Sequence, residues 1–192
     1  MPRRRPKKII KTQEVAPRLR KALAKRTKSE LIDFLVELAT EDRGVLRQLD
    51  AGLGLEAAPG ELAAATRQAI ADATDYDERD INYNFDYDYA AYEEVKRNLI
   101  RLVDQNQLRR AMELSLELMD QGSEQVEMSD EGLMTQDIEA CLKVVTQALK
   151  KCDLPAGEGI AWCAKMMKRD RVGFICDREI QTLRKHFETA RP

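Results

Sequence analysis

Cys141, Cys152, Cys163, Cys176 and the only histidine, His186, are the side chains of this chain best suited to metal or redox chemistry. The cysteines stand 11, 11 and 13 residues apart. A structural zinc site usually opens on two ligands about two to four residues apart, because one turn must present both to the same ion. No such pair occurs here. A mixed site would have to collect single ligands from several elements, so neither a metal nor any other cofactor is expected. Cys141, Cys152 and Cys163 instead fall on apolar stripes, where a free cysteine serves as a small hydrophobe.

The second candidate is INYNFDYDYAAYEE, residues 81 to 94. With Asn82 at position 1 of a calcium loop, Asn84, Asp86 and Asp88 fall at positions 3, 5 and 7 and Glu93 at position 12. The sharp turn at position 6 needs glycine, and that place holds Tyr87. The same stretch alternates apolar and polar residues as a strand does, yet Asn and Asp are depleted in strands and no second strand is available to pair with it. The preferred reading is the approach to a helix. Ile81, Phe85, Tyr89 and Tyr92 follow helical spacing, and Asp86 or Asp88 would sit at the positive end of the helix dipole.

Other catalytic arrangements are missing. The sequence contains no phosphate-cradling glycine loop, no GxSxG elbow and no HExxH pair, and acidic neighbours such as Glu93 with Glu94 or Asp130 with Glu131 read as solvated faces or turns. The expectation is a protein without enzymatic activity.

The elements that would position any site are helical. Thr27, Lys28, Ser29 and Glu30 match a capping box, followed by Leu31, Phe34, Leu35, Leu38 and Ala39 as a face to be buried. Asp42 is expected to cap the next helix and Gly52 with Gly54 to end it. Pro59 suits a first turn, with Leu62, Ala65, Ala69 and Ile70 following. Further stripes run through Tyr92, Val95, Leu99, Leu102 and Val103, and through Leu108, Ala111, Met112, Ser115, Leu118 and Met119. Ile138 to Cys152, with Thr135 as cap, gives the most regular run. Pro155 opens a helix carrying Ile160, Cys163, Ala164 and Met167, with Trp162 and Met166 on a second face, and Asp177 is expected to cap the last helix. This pattern predicts an all-α domain of antiparallel helix pairs, as a compact bundle or a short α-solenoid. A strict 34-residue repeat is absent.

Charge divides the chain differently. Residues 1 to 28 hold twelve Lys or Arg against the single acid Glu14, while the remainder is acidic and the net charge is −2. Residues 1–28 are expected to be a largely disordered basic arm and residues 29–190 one helical domain. Arg3, Arg4, Arg5, Lys7, Lys8, Lys11, Arg18, Arg20 and Lys21 are the candidates for contact with nucleic-acid phosphates. The alternatives are contact with an acidic surface, its own or a partner's, and a solvated tail. No aromatic ring lies within these 28 residues, which argues against stacking on single-stranded bases. Tyr83, Tyr87 and Trp162 are the candidate protein-partner surface, since amphipathic aromatics are enriched at interfaces. No apolar run approaches the roughly 18 to 20 residues of a membrane span, so a cytoplasmic protein is expected.

Three segments carry a resemblance. YAAYEEVKRNLIRLVDQNQLRRAMELSLELM and LPAGEGIAWCAKMMKRDRVGF resemble the helical region of bacterial proteins associated with SWIM-type zinc fingers, and SELIDFLVELATED is similar to the opening of such regions. The resemblance implies a helical-repeat fold and a bacterial accessory or scaffold role. The finger's CxC pair and later CxH are absent, so no metal ligand and no catalytic residue carries over.

Overall fold

A computed structural model describes residues 12–76, 87–129 and 135–189. Among these residues the chain forms nine helices and no strand: α1 (Thr12–Leu23), α2 (Lys28–Glu41), α3 (Arg43–Leu53), α4 (Pro59–Thr74), α5 (Tyr89–Asp104), α6 (Leu108–Glu127), α7 (Gln136–Leu149), α8 (Ala156–Arg169) and α9 (Asp177–Thr189). The strand, calcium-loop and helix-approach readings of residues 81–86 lie outside the described residues, as do Tyr83, Asp130 and Glu131. The helices fall into two compact units, Met1–Leu55 and Glu56–Pro192. The change in charge, after Lys28, runs through the first unit.

In the first unit the local signals work as the sequence predicts. The Thr27 N–H donates to Glu30 Oε2 at 2.7 Å while the Glu30 N–H donates to Thr27 Oγ1 at 3.2 Å, which completes the capping box. Those bonds hold the Glu30 carboxyl below its ordinary range. Asp42 Oδ1 accepts from the N–H groups of Gly44 and Val45 and opens α3. Gly54 closes α3 at φ 61°, a left-handed conformation that glycine adopts without strain, and its N–H reaches Asp50 O at 2.8 Å.

Packing departs from the expectation. No residue of α2 or α3 is buried. Leu31, Leu38 and Ala39 are half-buried, whereas Phe34 is 46% exposed, Leu35 43% and Val36 61%. The stripe meant for a core therefore stays on the surface, because three short helices provide too few facing layers to cover it.

The second unit is a stack of helix pairs. Bonds between helices join residues about fifty apart. Arg67 of α4 reaches Glu117 of α6, Tyr87 just before α5 reaches Asp137 of α7, and Trp162 of α8 reaches Met112 of α6, each at a separation of 50 residues. Pairs further along give the direction: Gln125 of α6 bonds Ala73 of α4, and Ser123 of α6 bonds Arg169 of α8. α4, α6 and α8 are thus parallel to one another, while α5 runs antiparallel to α6, since Tyr92 near the start of α5 meets Gln125 near the end of α6. Three antiparallel pairs, α4 with α5, α6 with α7 and α8 with α9, stack in register as a short solenoid.

The core of this unit is continuous, and Leu62, Ile70, Leu99, Leu102, Leu118, Met119, Leu142, Leu149 and Met166 are fully buried in it. Two close approaches fix its spacing. A Cβ built on Gly122 would lie 2.8 Å from Ile138 Cδ1 between α6 and α7, and one built on Gly159 would lie 2.4 to 2.6 Å from three ring carbons of Phe187 between α8 and α9. Polar locks complement them. Tyr92 Oη donates to Gln125 Oε1 at 2.7 Å and Gln125 Nε2 donates to Ala73 O at 2.9 Å, so one buried carboxamide ties α6 to both α4 and α5.

Three local expectations are corrected here. Thr135 precedes α7 with helical angles, so its hydroxyl donates to Glu139 Oε1 and not to the capping role, which needs an extended residue. Asp177 lies inside the first turn of α9 and accepts from Gln181 Nε2, while the carbonyl of Cys176, held at φ 54°, takes the first helical N–H from Ile180. In α8 the buried positions are Gly159, Trp162, Cys163 and Met166. Ala164 is exposed because α6 and α9 meet α8 on the face that carries Trp162.

Candidate interaction surfaces

Of the aromatic candidates, Tyr87 and Trp162 lie within the described residues. Trp162 is 3% exposed, and its indole N–H donates to Met112 O at 3.0 Å. Its assignment to a partner surface is corrected on that ground: the ring is core, filling the space between α6 and α8. Tyr87 is half-buried, with its hydroxyl donating to Asp137 Oδ2 at 2.7 Å and its ring edge-on to Tyr92 at 5.9 Å. Burial, and then the Asp137 carboxylate, push the Tyr87 hydroxyl up to about 12. Tyr89, by contrast, is exposed at the start of α5, where the Asp88 carboxylate caps the Ala91 N–H at 3.0 Å.

Arg18, Arg20 and Lys21 are exposed on α1. Arg3, Arg4, Arg5, Lys7, Lys8 and Lys11 lie outside the described residues. Pro17 sits inside α1 and cannot donate to the residue four before it, which leaves this helix weak by itself.

Among the described residues each unit has a recess. Between α6 and α8, Met112, Leu116, Ala161 and Trp162 underlie a cleft walled by Arg109, Glu113, Glu158 and Lys165, with a volume of about 190 Å³. Arg109 grips Glu158 through two bonds of 2.8 and 3.0 Å, which raises the guanidinium and lowers the carboxyl in their proton affinities. The volume is below the roughly 300 to 1,000 Å³ of ligand pockets, and Arg109 and Glu158 already satisfy each other, so the cleft is an inter-repeat seam. The second recess, about 430 Å³, is a groove in the first unit. Leu19, Ala22, Leu23, Leu31 and Phe34 line it together with Arg26, Glu30, Asp33 and Glu37. Periodicity announced Leu31 and Phe34 as a face to be buried, but not that Phe34 stays exposed.

The cysteines are all free, and Cys141, Cys163 and Cys176 are buried. Cys176, which fell on no stripe, is held by its loop: Asp170 accepts from the N–H groups of Val172, Gly173 and Ile175 and folds the segment inward. Among the described residues no group of three or more His, Cys, Asp or Glu could hold a metal ion. Burial pushes the thiols of Cys141 and Cys176 from 9.0 up to about 12 and that of Cys163 to about 11. These groups bind protons more tightly folded than unfolded. Their stabilising contribution is therefore complete below the unfolded value near 9 and is lost as pH climbs to about 11 to 12. Urea midpoints are expected to stay flat around neutrality and fall above pH 9, with Cys152, the half-buried thiol, labelled first by a thiol reagent. Rapid labelling of all four thiols in the native protein would contradict this.

Comparison of the chain with protein-family models, with curated proteins and with solved structures finds no match. Among the described residues no helix is long and apolar enough to cross a membrane.

Proposed function

We propose that this chain is a non-enzymatic helical interaction module, in which a self-sufficient helix stack carries a smaller unit that docks another polypeptide. The observation that supports it most is α2. Ile32, Phe34, Leu35 and Val36 are all exposed large apolar side chains within 5 residues of one helix. A helix apolar over most of its circumference is normally buried, and an exposed apolar patch of this kind marks a protein-interaction site. The resemblance to bacterial accessory regions points the same way, toward a cytoplasmic scaffold.

The test uses the full chain as bait in native lysate, beside the variant Leu35→Glu/Val36→Glu of equal helix content. A defined polypeptide retained by the first and lost by the second is expected; identical captures by both baits overturn the proposal. A second reading rests on exposed Arg18, Arg20 and Lys21, which suit phosphate contacts. Nucleic acid recovered with the bait, and lost on Arg18→Ala/Arg20→Ala/Lys21→Ala, would assign α1 that role.

A further inference from the structure

We infer that α1 and α2 are a self-association surface, on which two copies of this chain pair with the basic α1 of one protomer against the acidic α2 of the other. The inference deepens the interaction-module reading and rests on it.

Three observations carry it. The groove between α1 and α2 is apolar along its floor, with Leu19 and Phe34 about half exposed. The two helices that form it have opposite charge: α1 and the turn after it carry Arg18, Lys21 and Lys25, and α2 carries Asp33, Glu37 and Glu41. Under a two-fold axis a surface must complement itself, because each element meets its partner's counterpart. A surface built from one cationic and one anionic helix satisfies that condition when the two are exchanged across the axis, and like helices facing each other would repel. Finally, α2 and α3 bury no residue, and α1 holds Pro17 within it. Units of this size commonly gain a core by oligomerisation, and a second copy would cover the half-exposed floor of the groove.

Sedimentation equilibrium of the full chain tests this. The wild type is expected at twice 21.9 kDa at micromolar concentrations. Phe34→Glu should return it to the monomer mass with far-ultraviolet helicity retained. Arg18→Glu/Lys21→Glu/Lys25→Glu makes both arms acidic and Asp33→Lys/Glu37→Lys makes both basic, and each should weaken self-pairing by about tenfold or more. An equimolar mixture of these two charge variants should recover the dimer mass. A wild-type monomer, a dimer indifferent to either reversal, or a mixture that stays monomeric overturns the inference. A monomer that still captures a polypeptide through Leu35 and Val36 leaves the interaction-module reading standing, whereas a monomer that captures nothing removes both.

Discussion

Trp162→Ala should lower the stability of the Glu56–Pro192 unit by about 3–5 kcal/mol. The indole is 3% exposed and spans the contact between α6 and α8, so its removal leaves a cavity where two parallel helices of the stack meet. The lost hydrogen bond adds little. Met112 O also accepts from Ser115 Oγ at 2.7 Å and so is not orphaned. Urea unfolding followed by far-ultraviolet dichroism is the appropriate measurement, because the substitution removes the only tryptophan and with it the fluorescence probe. A change within about 0.5 kcal/mol would mean that the ring lies at the surface, where most substitutions are that mild.

The second large effect is a contrast within one helix. Gly159→Ala places a methyl carbon 2.4 to 2.6 Å from three ring carbons of Phe187, which is itself buried. The ring cannot swing away without disturbing the α8 and α9 contact, and overpacking of this kind costs about 1–3 kcal/mol. Alanine would otherwise help a helix by roughly 0.5–1 kcal/mol, so the steric cost wins. Gly157→Ala, two residues earlier, meets nothing within 4 Å and should be neutral or stabilising by a few tenths of a kcal/mol. Equal effects at the two positions would show that propensity and not the aromatic ring decides, and a Phe187→Leu background should relieve the Gly159→Ala cost alone.

Much of the fold was legible because its signals are local. The capping box at Thr27 and Glu30, the Asp42 cap, Gly54 and Pro59 each act within one turn, and each appears where the sequence places it. The three-four stripes of α5, α6 and α7 likewise mark the sides that are buried. What periodicity cannot report is the supply of partners. Leu31, Phe34 and Leu35 have the spacing of core residues, yet their burial depends on another body, which the spacing does not encode. The same limit applied to Trp162: an aromatic off the main stripe reads equally as a second packing face or as a surface. Gln125 and Gly159 were invisible for a different reason. A polar residue or a glycine in a helix looks like a weak choice until the structure shows the phenol that the amide holds and the ring that the missing side chain admits.

The Gln125 bridge has a mechanical meaning. Stacked coils joined only by oily surfaces can creep along one another, since one apolar ridge fits the next groove almost as well. Here a creep of a single turn by α6 would strand an amide, a phenol and a carbonyl together in a dry interior. The bridge acts as a pawl against a ratchet wheel, holding α4, α5 and α6 to one register.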